Sequence, residues 1–302
     1  MRRIKALLYA WISKRYMRDC TSYNSLEVRK NCRSKAQARA VFAQHGVPHA
    51  RGMVFFLPWR VGRFVREHGF PLVVKPNVSG YSRGSYFPVR TRAELWRGIL
   101  LAKAWWPTTV VEQYLSGANY RVLCTGEKLL SVIRRYPPFV TGNGADSIGD
   151  LIDRENHVRA DMKLHPVMHP IAKSAQVLAH LKKSGRTLAT VPADGEYVEL
   201  FHRVALAPGG VVETIDKSAV AADNAELCMR VVQMFGANLL GIDVIFEKGI
   251  ERSHKTQRCI FIEVNSRPYA KMHDYPRYGK AEDLSAHYAE LDRLQIADAD
   301  IF

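Results

Sequence analysis

The chain has 302 residues, 47% of them hydrophobic and 24% charged. That suits two ordinary domains or one large one and excludes a disordered chain. The formal charge of +15 suits nucleic acid, an anionic surface or an anionic small molecule such as a nucleotide, and does not choose among them.

The chain opens on "MRRIKALLYAWISKRYMR", where Ile4, Leu7, Leu8, Trp11, Ile12 and Tyr16 fall at helical spacing. The spacing predicts a basic helix docked by that stripe. A peripheral membrane or partner contact through residues 1–18 is the sharper alternative. No small-residue cleavage site follows, and Lys14 and Arg15 interrupt the apolar run, which argues against a signal peptide. Ser34 caps a predicted helix from Lys35 to about Gln44, which Gly46 and Pro48 end. A strand at "GMVFF", a helix at "PWRVGRFVREHG" stopped by Gly69, and a β-branched strand "FPLVVKP" follow. "NVSGYSRGSYFPV" is a polar turn between strands, and Thr91 with Glu94 starts a helix at "TRAELWRGILLAKAWW".

Beyond that helix, "TTVVEQYL" reads as a strand and "SGANYRVLCTGEKLLSVIRRYP" as a meander. "FVTGNGADS" reads as a loop, "IGDLIDREN" as a short helix and "IAKSAQVLAHLKKSG" as a longer one. "EYVELFHRVAL" and "GVVETID" read as strands joined by "APGG". A helix at "NAELCMRVVQMFG", strands at "LLGIDVIF" and "CIFIEVN", and a helix near 282–295 complete the chain. The mixture predicts an α+β fold with largely antiparallel sheets. Five scattered cysteines without a CxxC pair make zinc and a disulfide framework poor readings and fit a reducing compartment. No stretch reaches the roughly 18 apolar residues of a membrane span.

Three features carry chemistry. Alternation puts Glu263 and Asn265 on one strand face, about 6.6–7 Å apart. If "GIDVIF" pairs with that strand as a hairpin, Asp243 joins them. Three oxygen side chains suit a hard cation such as magnesium, although polar strand ends satisfying local backbone explain the pattern equally well. Lys75 ends a strand before a turn with Ser79, Gly80, Ser82, Arg83 and Gly84, whose amides could form an anion nest. A plain hairpin with a solvated lysine is the bland alternative. Finally, "VVEQYLSG" places Glu112 at the end of an apolar strand, where backbone could read an adenine edge.

In order along residues 31 to 280, "NCRSKAQARAVFAQHGVPHARG", "FPLVVKPNVSGYSRG", "VVEQYLSGANYRVL", "VIRRYPPFVTGNGADSIGDLIDREN", Gly209–Gly210, "LLGIDVIF" and "IEVNSRPYAKMHDYP" together resemble the ATP-grasp superfamily. Within it they look like the ligase domain of cyanophycin synthetases and fused bacterial glutathione synthetases. The resemblance implies an ATP-grasp fold of two α+β subdomains clamping ATP, with a small lid. The expected divisions are a basic helical arm over 1–30 in place of the usual preceding domain, an N-terminal subdomain over 31–110, a C-terminal subdomain over 111–280, and a closing helix and tail over 281–302.

It further implies that Lys35 and Lys75 touch ATP phosphates beneath the loop of Ser79, Gly80, Ser82, Arg83 and Gly84. Glu112, Gln113, Tyr114 and Leu115 match the adenine hinge, and Asn119 the segment after it. Arg121, Arg135 and Arg267 match positions near the reacting centre. Asp243, Glu263 and Asn265 match ligands of magnesium, with manganese as the other candidate ion. The implied reaction joins a small carboxylate and an amine: ATP converts the acid to an acylphosphate, and the amine displaces phosphate. A kinase stopping at phosphoryl transfer and a nucleotide-binding regulatory module are the alternatives. His202 and His273 read as structural or substrate-orienting rather than as general bases. Ser79, Ser82, Phe201, Ala205 and Tyr269 depart from the family pattern and leave the substrates open. A carrier protein, a partner enzyme or a homodimer could complete the pocket. A cytoplasmic location and no nucleic-acid partner are expected.

Overall fold

A computed structural model of the protein describes residues 23–78 and 84–293. The expected arm helix over 1–18 and four residues of the phosphate turn, Ser79, Gly80, Ser82 and Arg83, lie outside the described residues. The chain divides into two units. The first holds the described residues up to Leu130, then Lys217–Tyr269 and Leu284 onward; the second holds Ser131–Asp216 and Ala270–Asp283.

The first unit begins with α1 (Leu26–Arg33) and α2 (Lys35–Gln44). Only Ser34 separates them. Its extended backbone breaks the helix, and its hydroxyl accepts from the Gln37 N–H as N-cap residues do. Strands β1 (Gly52–Phe55), β2 (Leu72–Pro76), β3 (Tyr86–Val89) and β4 (Thr109–Gln113) form an antiparallel sheet in the order β1-β4-β2-β3. Helices α3 (Val61–His68) and α4 (Arg92–Lys103) supply Phe64, Leu95 and Ile99 to a core with Phe55, Leu72, Val74 and Val111. Strand alternation sends Leu72, Val74 and Val111 into that core. It therefore sends Lys75 and Glu112 to the other face.

The same unit contains β5 (Ala118–Cys124), β10 (Leu240–Phe246) and β11 (Cys259–Asn265), with β10 antiparallel to both neighbours. Helix α7 (Ala222–Met234) packs toward β5, and α8 (Ser285–Leu291) closes the described chain. Phe42 of α2 meets Phe235 and Phe261 edge-on. Asn24 donates to Leu239 O at 2.6 Å and Ser266 O at 2.7 Å and accepts from the Asn238 N–H at 2.8 Å. A buried amide satisfied this fully locks the chain entry onto the β10 side.

In the second unit β6 (Leu129–Tyr136, whose first two residues belong to the first unit) pairs with β9 (Val211–Ile215), and β7 (Phe139–Thr141) with β8 (Tyr197–Glu199). Helices α5 (Ile148–Asp161) and α6 (Ala175–Lys183) bury Ile148, Ile152 and Leu181 against Val140, Val198 and Leu200.

Here three readings are corrected. "FVT" is a strand, not loop, because Val140 finds a partner strand in Val198, a distant pairing that local pattern does not contain. "EYVELFHRVAL" yields only a three-residue strand and does not pair with "GVVETID". The backbone instead turns at Gly209, where φ is +94°, and Gly210 N–H donates to Ala205 O at 3.0 Å. A Cβ on Gly210 would lie 2.4 Å from that same oxygen. The helix expected from Ile171 starts at Ala175, capped by Ser174.

Candidate active site

Helix α2 and strand β2 bring two lysines into one neighbourhood. Asn77, directly after β2, accepts from the Lys35 N–H at 3.3 Å with its backbone oxygen. Its side-chain oxygen accepts from the Ala36 N–H at 3.1 Å and the Ser34 hydroxyl at 3.4 Å. The end of β2 is thereby tied to the first turn of α2, whose free amides need such acceptors. Lys75 is buried and donates to Glu112 through a short hydrogen bond. Lys35 Nζ lies 4.0 Å from Glu263 Oε2. Burial holds the Lys35 ammonium below the ordinary lysine value; Glu263 raises it, Lys75 lowers it, and Glu112 raises it.

The hairpin condition for Asp243 is met. Asp243 stands directly opposite Glu263 across β10 and β11, and Gly241 opposite Asn265. Both rows face the same way. A register shift follows at Asp243/Val244. Asn265 donates its amide N–H to Gly241 O at 3.2 Å, which leaves its carbonyl oxygen on the side away from that bond. Asp243 is also opposite Arg121 of β5. Arg121 grips the carboxylate with both Nε and Nη2, the latter at 3.0 Å, and both side chains are only 8% exposed. Arg121 thus holds Asp243 in a planar fork. Gly241 is needed here: a Cβ would meet Pro268 at 2.8 Å and Arg121 Cδ at 3.2 Å.

One residue escaped the sequence reading. Arg39 sits one turn along α2 from Lys35, and with Lys35, His49, Glu112 and Phe261 it lines a small recess. Burial lowers its pKa and Glu112 raises it. Its Nη1 is buried without a hydrogen-bond partner. A Cβ on Gly52 would come within 2.1 Å of that atom and 2.7 Å of Val111 O, so glycine makes room for the guanidinium. The i, i+4 spacing of Lys35 and Arg39 was the available signal.

The structure gathers Lys35, Lys75, Glu112, Arg121, Asp243, Glu263 and Asn265 in the first unit. Gln113 ends β4, Tyr114 N–H donates to Pro71 O at 3.3 Å, and Leu115 is buried. Asn119 lies in β5, and Arg267 follows β11 half-buried. Gly84 has φ +70° and packs under Trp105, which a Cβ would meet at 2.3 Å. Arg135 belongs to the second unit, opposite Val212. There His273 is fully buried with Nδ1 2.8 Å from Ser131 Oγ, and burial pushes His202 down to about 4.

The oxygen set of two carboxylates and an amide fits a hard divalent ion such as magnesium. Among the described residues no group of three or more His, Cys, Asp or Glu offers a metal site, since Asn265 is the third member here. The described cysteines are free, and burial pushes Cys228 up to about 12 and Cys259 to about 11, so neither thiol is an activated nucleophile.

Fold and site together define a class of α+β proteins that present lysines and carboxylates from neighbouring sheets. The bifunctional glutathione synthetase structure from Pasteurella multocida superposes with a TM-score of 0.64 at 22% identity, covering 90% of this chain and 38% of that one. The D-alanine–D-alanine ligase structure from Bacillus anthracis gives 0.52 at 16% identity, covering 89% and 66%. Cyanophycin synthetase from Trichormus variabilis is 30% identical over 263 residues, 86% of this chain and 29% of that protein. No protein-family model matches. The fold is the two-lobed ATP-grasp architecture, and the chain is related to cyanophycin synthetases and bifunctional glutathione synthetases. It spans less than a third of the cyanophycin synthetases it matches.

Proposed function

We propose that the protein is an ATP-dependent carboxylate–amine ligase, forming an amide through an acylphosphate with release of ADP and phosphate. The observation that carries this reading is the direct cross-strand pairing of Asp243 with Glu263, with Asn265 on the same face and Lys35 4.0 Å from Glu263. The relationship to cyanophycin synthetases and to bifunctional glutathione synthetases supports it. The oxygen triad would hold magnesium, or manganese in its place. When bound, that ion supplies positive charge at the phosphates.

The chain's own residues do the rest. A transferring phosphoryl group needs positioning and positive charge rather than a protein nucleophile. Lys35 and Lys75 supply charge from two different elements. Each lysine faces a carboxylate, Glu263 and Glu112, so each has a resting partner to leave when a phosphate arrives. Arg39 remains beside Glu112 as Lys75 departs. The acid's oxygen bonds to the γ-phosphorus as the bond to ADP breaks. The amine then bonds to the acyl carbon, phosphate leaves with that oxygen, and the nitrogen loses a proton. Arg121 is a positioning residue, since its guanidinium is committed to Asp243. Arg267 and Tyr269, just past β11, are the proposed sites of substrate choice. The phosphate turn of Ser79, Gly80, Ser82, Arg83 and Gly84 would cover the phosphates. Gln113 to Leu115, with Asn119, would receive the nucleoside. We place the reaction in the cytoplasm.

The test is ADP release over a matrix of amino acids, peptides and carrier-bound acids, with mass spectrometry of products. ADP formation that requires both acid and amine supports ligation. A phosphorylated acid accumulating without amine dependence would favour a kinase. Glu263→Ala should lose turnover while keeping its melting temperature. Undiminished magnesium-dependent turnover in that variant would remove Glu263 from the metal site.

A further inference from the structure

The four-stranded sheet body of the first unit has a face that nucleotide chemistry does not use. Its core is well packed, yet three of its largest apolar side chains stand in solvent: Trp59 is 70% exposed, Leu100 70% and Phe56 62%. Leu57 and Trp96 add to them, at 37% and 48%. Scattered single exposures need no explanation, but a contiguous set does. Here one lysine joins the two elements that carry the set. On α4 the core takes Leu95, Gly98, Ile99 and Ala102. Trp96, Leu100 and Lys103 follow at i, i+4 and i+7 along the other side. Lys103 then bridges to the loop after β1. Its ammonium donates to Phe56 O at 2.6 Å and lies 5.0 Å from the Phe56 ring centroid. Leu57 and Trp59 continue that loop.

The charge around the patch is one-sided. Leaving out Lys75 and Arg83 of the proposed phosphate site, residues 51–106 contain eight Lys or Arg and only two Glu, with no Asp. Arg60 and Arg97 directly follow Trp59 and Trp96 in sequence, and with Arg63 they are exposed. A second copy of this chain would bring like charge against like charge, which opposes self-association. An anionic surface is complementary. Nucleic acid also carries negative charge, but Leu57 and Leu100 have no π-face on which a base could stack. Indole, phenyl and leucine side chains ringed by arginine match what enters the headgroup–acyl boundary of an anionic bilayer. We propose that this face, built from the β1–α3 loop and α4, docks the protein on an anionic lipid surface.

The test is flotation of the whole chain with phosphatidylcholine vesicles, with and without phosphatidylglycerol. Binding is expected only with the anionic lipid, weakening as salt rises. Trp59→Ser with Phe56→Ser should abolish flotation while leaving the thermal melt unchanged, because both side chains are exposed. Arg60→Glu with Arg97→Glu, which retains the apolar groups, should weaken binding by at least about thirtyfold, taking each lost cation alone. No flotation with anionic vesicles would overturn the proposal. So would equal binding to neutral vesicles, binding insensitive to both variant pairs, RNA binding without vesicle binding, or a dimer that the Trp59 and Phe56 changes dissolve.

Discussion

Lys35 carries opposite demands on a single side chain: its proposed place at a phosphate wants an ammonium, and burial disfavours one. Because its folded pKa lies below the ordinary 10.5, the folded state binds fewer protons than the unfolded chain between those two values. Stability therefore rises with pH through that window. Lys35→Met should lose turnover without losing stability at neutral pH. Denaturant melts from neutral to alkaline pH should show the parent gaining on the variant, and parallel curves would contradict this. Arg121 behaves differently. Arg121→Ala strands the Asp243 carboxylate in a site where both partners are 8% exposed, at a cost of about 3–5 kcal/mol in chemical denaturation. A loss under 1 kcal/mol would show that water reaches Asp243. Arg39 and Asn77 were invisible in the sequence as partners of Glu112 and Lys35 because their contacts join distant segments. Lys75 and Glu263 were visible because each interrupts an apolar strand at a position where polarity needs a reason.

At the scale of elements, helices with caps were the most legible. Ser34, Thr91 and Ser147 each accept from a backbone N–H in the first turn they start, and glycine or proline marks several ends. Ser147 is the fullest case. With Asp150 it forms a reciprocal capping box, and the Ser147 hydroxyl and backbone N–H hold the Asp150 carboxyl below its usual range. Ser147→Ala should cost about 1 kcal/mol in a denaturation midpoint, with no change in nucleotide binding, which is proposed for the other unit. The β10–β11 hairpin was legible because both strands are continuous apolar runs carrying a carboxylate at matching positions. Strand β7 was not, and β8 was read far too long, since each is three residues long and gains its ladder only from a segment nearly sixty positions away. Here tertiary pairing overrides weak local preference.

For the whole molecule, the α+β class and the antiparallel sheets could be read from the order of the elements. The division into units could not, because the second unit is assembled from two separate segments. Its stability answers to acid. His202 falls to about 4 chiefly because it is buried, with Arg203 adding to the effect. The folded state then binds fewer protons than the unfolded chain from pH 6.5 down to about 4, and stability falls through that window as pH drops. His202→Gln should flatten this acid loss in thermal melts; an unchanged profile would assign it to other groups. The acylphosphate route turns on the fate of one oxygen. Once an acid–amine pair is found, the acid is supplied with heavy oxygen in its carboxylate, and the released phosphate is weighed. An acylphosphate route predicts one heavy oxygen in the phosphate for every amide formed. Amide formed while the phosphate carries none, the lost heavy oxygen appearing in AMP or in water, would contradict it.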